Sequence, residues 1–159
     1  MAPAFVALVR ALAAFAGLAP PDAAAAERLL ADAFGPRPRY ELLVAELDGE
    51  VVAYAAFFET YSTFRAQPSL YLEDLFVAPA ARGRGVGSSL LSHLGRLAVE
   101  RGCGRFEWSV DDWNERARRF YRALGAQIGH ECLLCRVEGD ALVALARRAE
   151  GAASPRSDG

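Results

Sequence analysis

The chain has 159 residues, 53% of them hydrophobic, a formal net charge of −2 and a pI near 5.7. That length and apolar content suit one domain that buries its own core. The mildly acidic balance excludes nucleic acid as the main partner, because phosphate-backbone binding needs a basic face; a small molecule is expected instead.

The first 21 residues are apolar except for Arg10. A secretory leader carries its basic residues before the apolar run, whereas here the charge lies inside it. A membrane span would hold Arg10 near its centre, at a cost of about 2.5 to 3.5 kcal/mol. Phe5, Leu8, Leu12 and Phe15 recur at helical spacing, so an amphipathic helix ending before Pro20-Pro21 is expected, with no membrane association. A second helix is expected from Pro21 or Asp22 to about Phe34, with Asp22 as N-cap.

Two apolar runs then flank Asp48-Gly49, the dipeptide favoured in type I′ turns, and predict an antiparallel hairpin. The stretch TYSTFRAQPS is expected to be a loop, and LYLEDLFV, Leu70 to Val77, a strand. Leu90, Leu91, Leu94, Leu97 and Ala98 predict a helix from about Gly87 to Arg101, closed by Gly102. RFEWSV follows as a strand, making a strand–helix–strand crossover. Asn114 can cap a helix running to Leu124 before Gly125. A strand from Cys132 to Glu138, a helix from Asp140 to Ala149 and a disordered tail over 151–159 complete the expected single domain over 1–150.

Cys132 and Cys135 form a C-x-x-C pair, but in a strand residues three apart point to opposite faces and cannot easily share a metal or a disulfide. With only two histidines and no second ligand pair, no metal is expected. The cysteines, Cys103 included, read as buried thiols of a cytoplasmic protein.

RGRGVGSSLL, residues 82–91, sets Gly83, Gly85 and Gly87 at alternate positions directly before a helix. Free N–H groups and the positive end of the helix dipole make such a place suited to an anion, often a phosphate. Arg82 and Arg84 would add charge-assisted contacts. The P-loop pattern fails because Gly87 is followed by Ser88-Ser89, and the dinucleotide fingerprint fails because Ser88 or Leu90 stands at its third glycine. The remaining pattern is Arg82-x-x-Gly85-x-Gly87.

Two further features stand beside this turn. Glu73 and Asp74 interrupt an apolar strand, one expected on each face, and buried carboxylates need partners or a function. Asn114 and Tyr121 lie seven residues apart, about two helical turns.

LYLEDLFV, RGRGVGSSLL and WNERARRFYRALGA, in this order, resemble the GNAT superfamily of N-acetyltransferases, in particular its diamine (spermidine/spermine N-acetyltransferase-like) branch. The resemblance covers about Tyr40 to Ala146. It implies an α/β (α+β) fold with a mixed, mostly antiparallel sheet flanked by helices. Its opening strand has no match here, because only four residues precede Phe5.

By the same resemblance acetyl-CoA is the co-substrate. Leu75, Phe76 and Val77 would pair their backbone with its pantetheine arm. Arg82, Gly83, Arg84, Gly85, Val86, Gly87 and Ser88 would cradle the pyrophosphate. Asn114 would touch the cofactor, and Tyr121 would lie beside its sulfur. Glu73 would be the base, Tyr121 the acid, and Asp74 a counter-charge for the amine, with a contact from Glu131; no covalent enzyme intermediate is required.

Family members commonly form homodimers, which is the expectation here. The family's acidic residue after the third strand is replaced by Ser62, and a late tryptophan by Cys132. The expected acceptor is the primary amine of a small molecule, a diamine, polyamine or amino-acid-like amine, and those changes favour the smaller of these. A non-catalytic acyl-CoA-binding or sensing module and a protein N-terminal acetyltransferase are the rival readings.

Overall fold

The computed structural model describes residues 1–129 and 134–148. The chain forms two compact units, Met1–Ala117 and Arg118–Gly159.

In the first unit, helix α1 (Ala2–Ala16) ends on left-handed Gly17, and the N–H of Leu18 returns to the carbonyl of Ala13. Pro20 and Pro21 could not continue it. Helix α2 (Ala23–Phe34) begins where Asp22 Oδ1 accepts the Ala25 N–H at 2.7 Å, as expected of an N-cap. Strands β1 (Glu41–Leu47) and β2 (Glu50–Ser62) meet at Asp48-Gly49, with φ of 53° and 82°. Two successive positive φ values define the I′ turn, whose twist matches that of the strands.

The stretch expected to be a loop is a second hairpin. β2 runs on to Ser62 and strand β3 (Gln67–Val77) begins three residues before Leu70, leaving only 63–66 as the turn. Tyr61, Thr60 and Glu59 pair with Pro68, Ser69 and Leu70. Backbone pairing extends an existing ladder even where the side chains are polar, so side-chain pattern alone hid this extension.

β3 leads through a short turn at Pro79–Ala81 into helix α3 (Val86–Glu100), then to strand β4 (Arg105–Trp108), which pairs parallel with β3. The sheet order is β1-β2-β3-β4, antiparallel except for this last pair. This is the mixed, mostly antiparallel sheet with a βαβ crossover that the sequence predicts. Among the described residues, helices rather than a strand precede β1.

Two apolar layers cover the sheet. On one face Phe5 and Leu8 of α1 pack with Tyr54, Ala56 and Phe76, with Leu30 of α2 beside them. On the other, Val86 and Leu90 of α3 pack with Ala53. Coverage on both sides explains the unbroken buried run Ala53–Phe57. Arg101, at the end of α3, is bonded to Glu41 at 2.5 and 2.7 Å and to Glu59 at 3.1 Å, linking that helix to β1 and β2.

Helix α4 (Glu115–Ala123) starts where Asn114 Oδ1 accepts the Ala117 N–H at 3.1 Å, and Gly125 closes it at φ 89°. In the second unit, helix α5 is Gly139–Arg147. The expected strand over Cys132–Glu138 is not formed in its described part, since 134–138 carries no regular structure. An apolar run becomes a strand only when a neighbouring edge takes its N–H and C=O groups, and Leu134 and Val137 remain exposed. Cys135, expected to be buried, is exposed for the same reason, while Cys103 is half-buried and its thiol is pushed up by burial. Cys132, Glu131 and the tail 151–159 lie outside the described residues.

Candidate active site

β3 pairs with β4 only from Ser69 to Leu72, because β4 stops at Trp108. From Glu73 to Val77 that side of β3 has no strand partner among the described residues. An unpaired run of N–H and C=O groups is a template for another extended chain. Leu75, Phe76 and Val77 lie on this open edge, with the Val77 carbonyl accepting from Arg82 Nε at 2.9 Å.

The edge opens at a β-bulge. Asp74 pairs with Ala56 and Leu72 with Phe57, so Glu73 is an extra residue in β3. Strict alternation, expected to put Glu73 and Asp74 on opposite faces, is interrupted at this step, because two residues of β3 oppose one of β2. The bulge leaves Glu73 exposed and Asp74 partly buried. The hydroxyl of fully buried Tyr54, which packs against Phe5 of α1, is 3.4 Å from Asp74 Oδ2. Burial first, and then the charge of Glu73, raise the Asp74 carboxyl above the ordinary range, against the opposing hydrogen bond from Tyr54. Burial, followed by Asp74, likewise raises the Tyr54 phenol and keeps it a donor. Sequence reading missed Tyr54, since a tyrosine in a hydrophobic strand looks like core until its hydroxyl is traced.

Past Val77, Gly83 and Gly85 have φ of 76° and 79°. A Cβ built on either would meet no protein atom within 4 Å, so these glycines answer to backbone conformation and to open space above them. Gly85 is the N-cap of α3, no side chain caps that end, and the first turn contains no acidic residue. The N–H groups at Val86, Gly87 and Ser88 therefore open on a site suited to an anion. Arg84 is exposed at the tip, whereas Arg82 is half-buried.

A cavity of about 460 Å³ adjoins this turn on its β1 side, lined in part by Leu43, Glu46, Arg84, Ser89 and His93. None of the residues of the open β3 edge lines it. Asn114 is occupied through Oδ1 in capping α4. Tyr121 is a residue of the second unit; it is half-buried on α4, and burial raises its phenol.

An acyl-CoA fits this arrangement. The open edge offers backbone pairing to an amide-bearing arm, and the glycine turn offers N–H groups to a pyrophosphate. Among the described residues no cluster of three or more metal-ligating side chains occurs, and no helix is long and apolar enough to cross a membrane.

Comparison with known proteins agrees with this geometry. The acetyltransferase (GNAT) family model matches residues 8–126. Thialysine N-epsilon-acetyltransferase of Bos taurus is 39% identical over 152 residues, covering 87% of this chain and 88% of that protein. The L-ornithine N5-acetyltransferase of Arabidopsis thaliana is 43% identical over 108 residues, 67% of this chain and 47% of that one. The solved structure of an integron cassette protein from the V. cholerae mobile metagenome superposes with a TM-score of 0.77 at 26% identity, covering 91% and 90% of the two chains. Sheet, glycine turn and sequence together make the chain a member of the GNAT acetyltransferase family, an N-acetyltransferase.

Proposed function

We propose that the chain acetylates the side-chain or terminal amine of a small diamino compound, of the lysine- or ornithine-like kind named for its relatives. The observation that carries this reading is the bulge at Glu73. It sets two carboxylates at the mouth of the open β3 edge, one residue before the backbone that would line the acyl donor. The family model runs from residue 8 to 126, across the boundary between the two compact units at Ala117/Arg118, which supports reading that stretch as part of a single acetyltransferase domain, proposed over 1–150. Homodimeric assembly and a cytoplasmic location belong to the same proposal; light scattering and cell fractionation test them.

Acetyl-CoA, when bound, supplies an acetyl group activated as a thioester. Leu75, Phe76 and Val77 would line its arm, the backbone of residues 82–88 would hold its pyrophosphate, and Asn114 would add a contact. An alkyl ammonium, with a pKa near 10.4, must lose a proton before its nitrogen can attack. Glu73, exposed to solvent at the bulge, takes that proton directly or through one water. Asp74, anchored by Tyr54, faces the positive charge of the second amino group. Tyr121, a phenol whose pKa burial moves further up from its ordinary range, supplies its proton to the leaving sulfur.

The test is free-thiol release from acetyl-CoA across diamines, polyamines, lysine analogues, amino acids and short peptides, with Glu73→Gln as control. Turnover on diamino compounds that collapses in the control is expected. Preference for peptides would replace the small amine with a protein N-terminus. Tight acetyl-CoA binding without turnover on any amine would make the chain a sensing module.

A further inference from the structure

Arg82 follows the Pro79–Ala81 turn, at the entry to the glycine stretch. Its Nε donates to the Val77 carbonyl at 2.9 Å, joining the start of the turn to the end of β3. Its guanidinium carbon lies 5.5 Å from the ring centroid of Phe15 and 5.6 Å from that of Phe76. Both distances are within the reach of a cation–π contact. Phe76 is a buried residue of β3, whereas Phe15 stands half-exposed on the last turn of α1.

Phe15 also meets Trp113, centroid to centroid 5.9 Å, in the segment just before Asn114. One guanidinium thus gathers the end of β3, the glycine turn and the end of α1, with the segment before α4 reached through Phe15. A planar cation committed to two rings and a carbonyl is poorly placed to follow an incoming anion. Exposed Arg84, two residues on, makes no such contact among the described residues.

We infer that Arg82 is a positioning residue rather than a phosphate ligand: clamped by Val77, Phe15 and Phe76, it fixes the glycine turn and makes the end of α1 part of the acetyl-CoA site. The inference rests on the reading of that turn as a pyrophosphate cradle. It assigns a role in cofactor affinity to Phe15, which no phosphate need touch.

The test uses the full chain and titration calorimetry with acetyl-CoA across a salt series, alongside thermal unfolding. Phe15→Leu removes one ring from the clamp and keeps the cation; it is expected to weaken acetyl-CoA binding about threefold, the size of a partly exposed cation–π contact. Arg82→Met is expected to weaken binding about tenfold or more while leaving the salt dependence as in the native chain. The double variant should bind no more weakly than Arg82→Met alone, since both changes undo one clamp. Arg84→Met, by contrast, should flatten the salt dependence. In steady state the loss should appear in the KM for acetyl-CoA more than in kcat.

Native affinity in Phe15→Leu, additive losses in the double variant, or a flattened salt dependence in Arg82→Met would each overturn the inference and make Arg82 a direct ligand. If Arg82→Met fails to fold, Phe15→Leu, a change at a half-exposed position, decides alone. A native chain that does not bind acetyl-CoA defeats the pyrophosphate reading itself. Native binding with a silent Phe15→Leu defeats only the clamp.

Discussion

Substituting Gly85 separates two reasons for a glycine at the start of α3. Its φ of 79° lies in the left-handed region, and no protein atom lies within 4 Å of a Cβ placed there. Gly85→Ala should therefore carry no steric clash with the protein, only the conformational cost, about 1 to 2 kcal/mol for an L-residue in that region. For a domain of this size each kcal/mol lowers Tm by about 2 to 4 °C, so a fall of about 2 to 8 °C is expected. Asn tolerates the left-handed region, and Gly85→Asn should recover most of that loss. On the proposed reading, the space above Gly85 is nevertheless where the pyrophosphate would approach the N–H groups of α3. Calorimetric titration with acetyl-CoA should show binding weakened about tenfold or more in both variants, although their Tm values differ. Recovery of both Tm and affinity in Gly85→Asn would falsify the cradle: the glycine would then serve the turn alone.

If Tyr121 is the proposed acid, Tyr121→Phe should lower kcat for thiol release while leaving the acetyl-CoA Kd within about twofold, because that role acts on the leaving sulfur and not on cofactor binding. An unchanged kcat removes it from the acid role. Asp74 has its pKa raised in the folded state, so its contribution to stability is fully present below the unfolded value, about 3.9, and is lost as pH rises through the folded one. Asp74→Asn should accordingly raise Tm relative to the native chain at neutral pH, with the gap closing on acidification; a pH-independent gap contradicts this. Arg101→Ala removes the link between α3 and Glu41 and Glu59, whose side chains are 46% exposed. Solvent screening limits the loss to about 1 kcal/mol, and thermal unfolding in high salt should show a smaller difference between variant and native chain.

The legible parts of this fold are those decided by contacts close in sequence. Asp22 as a cap, Asp48-Gly49 as a hairpin turn and the spacing of Leu90, Leu91, Leu94 and Ala98 each express a local rule, and each is found in place. The strand expected over Cys132–Glu138 does not form in its described part, 134–138, because a strand needs an edge supplied from elsewhere in the chain. Thr60 to Ser62 pair for the converse reason, since β3 lies beside them whatever their side chains.

The site divides along the same line. The glycine spacing marks a turn and a helix start, and both stand where they are expected. Asp74 and Glu73 are visible as charges in an apolar strand, but their different environments are set by register. β2 and β3 fall out of step between Ala56 and Phe57, which makes Glu73 the extra residue and leaves Asp74 against Tyr54. Two carboxylates adjacent in sequence are thereby given unequal environments: one is exposed to solvent, while the other is partly buried, where its charge is costly without a cation beside it. Under the roles proposed above, a diamino substrate would use both, losing a proton to the first and offering its second ammonium to the other. An acceptor with a single amino group would leave Asp74 without a counter-charge, so those roles predict faster turnover of diamines than of monoamines of the same length.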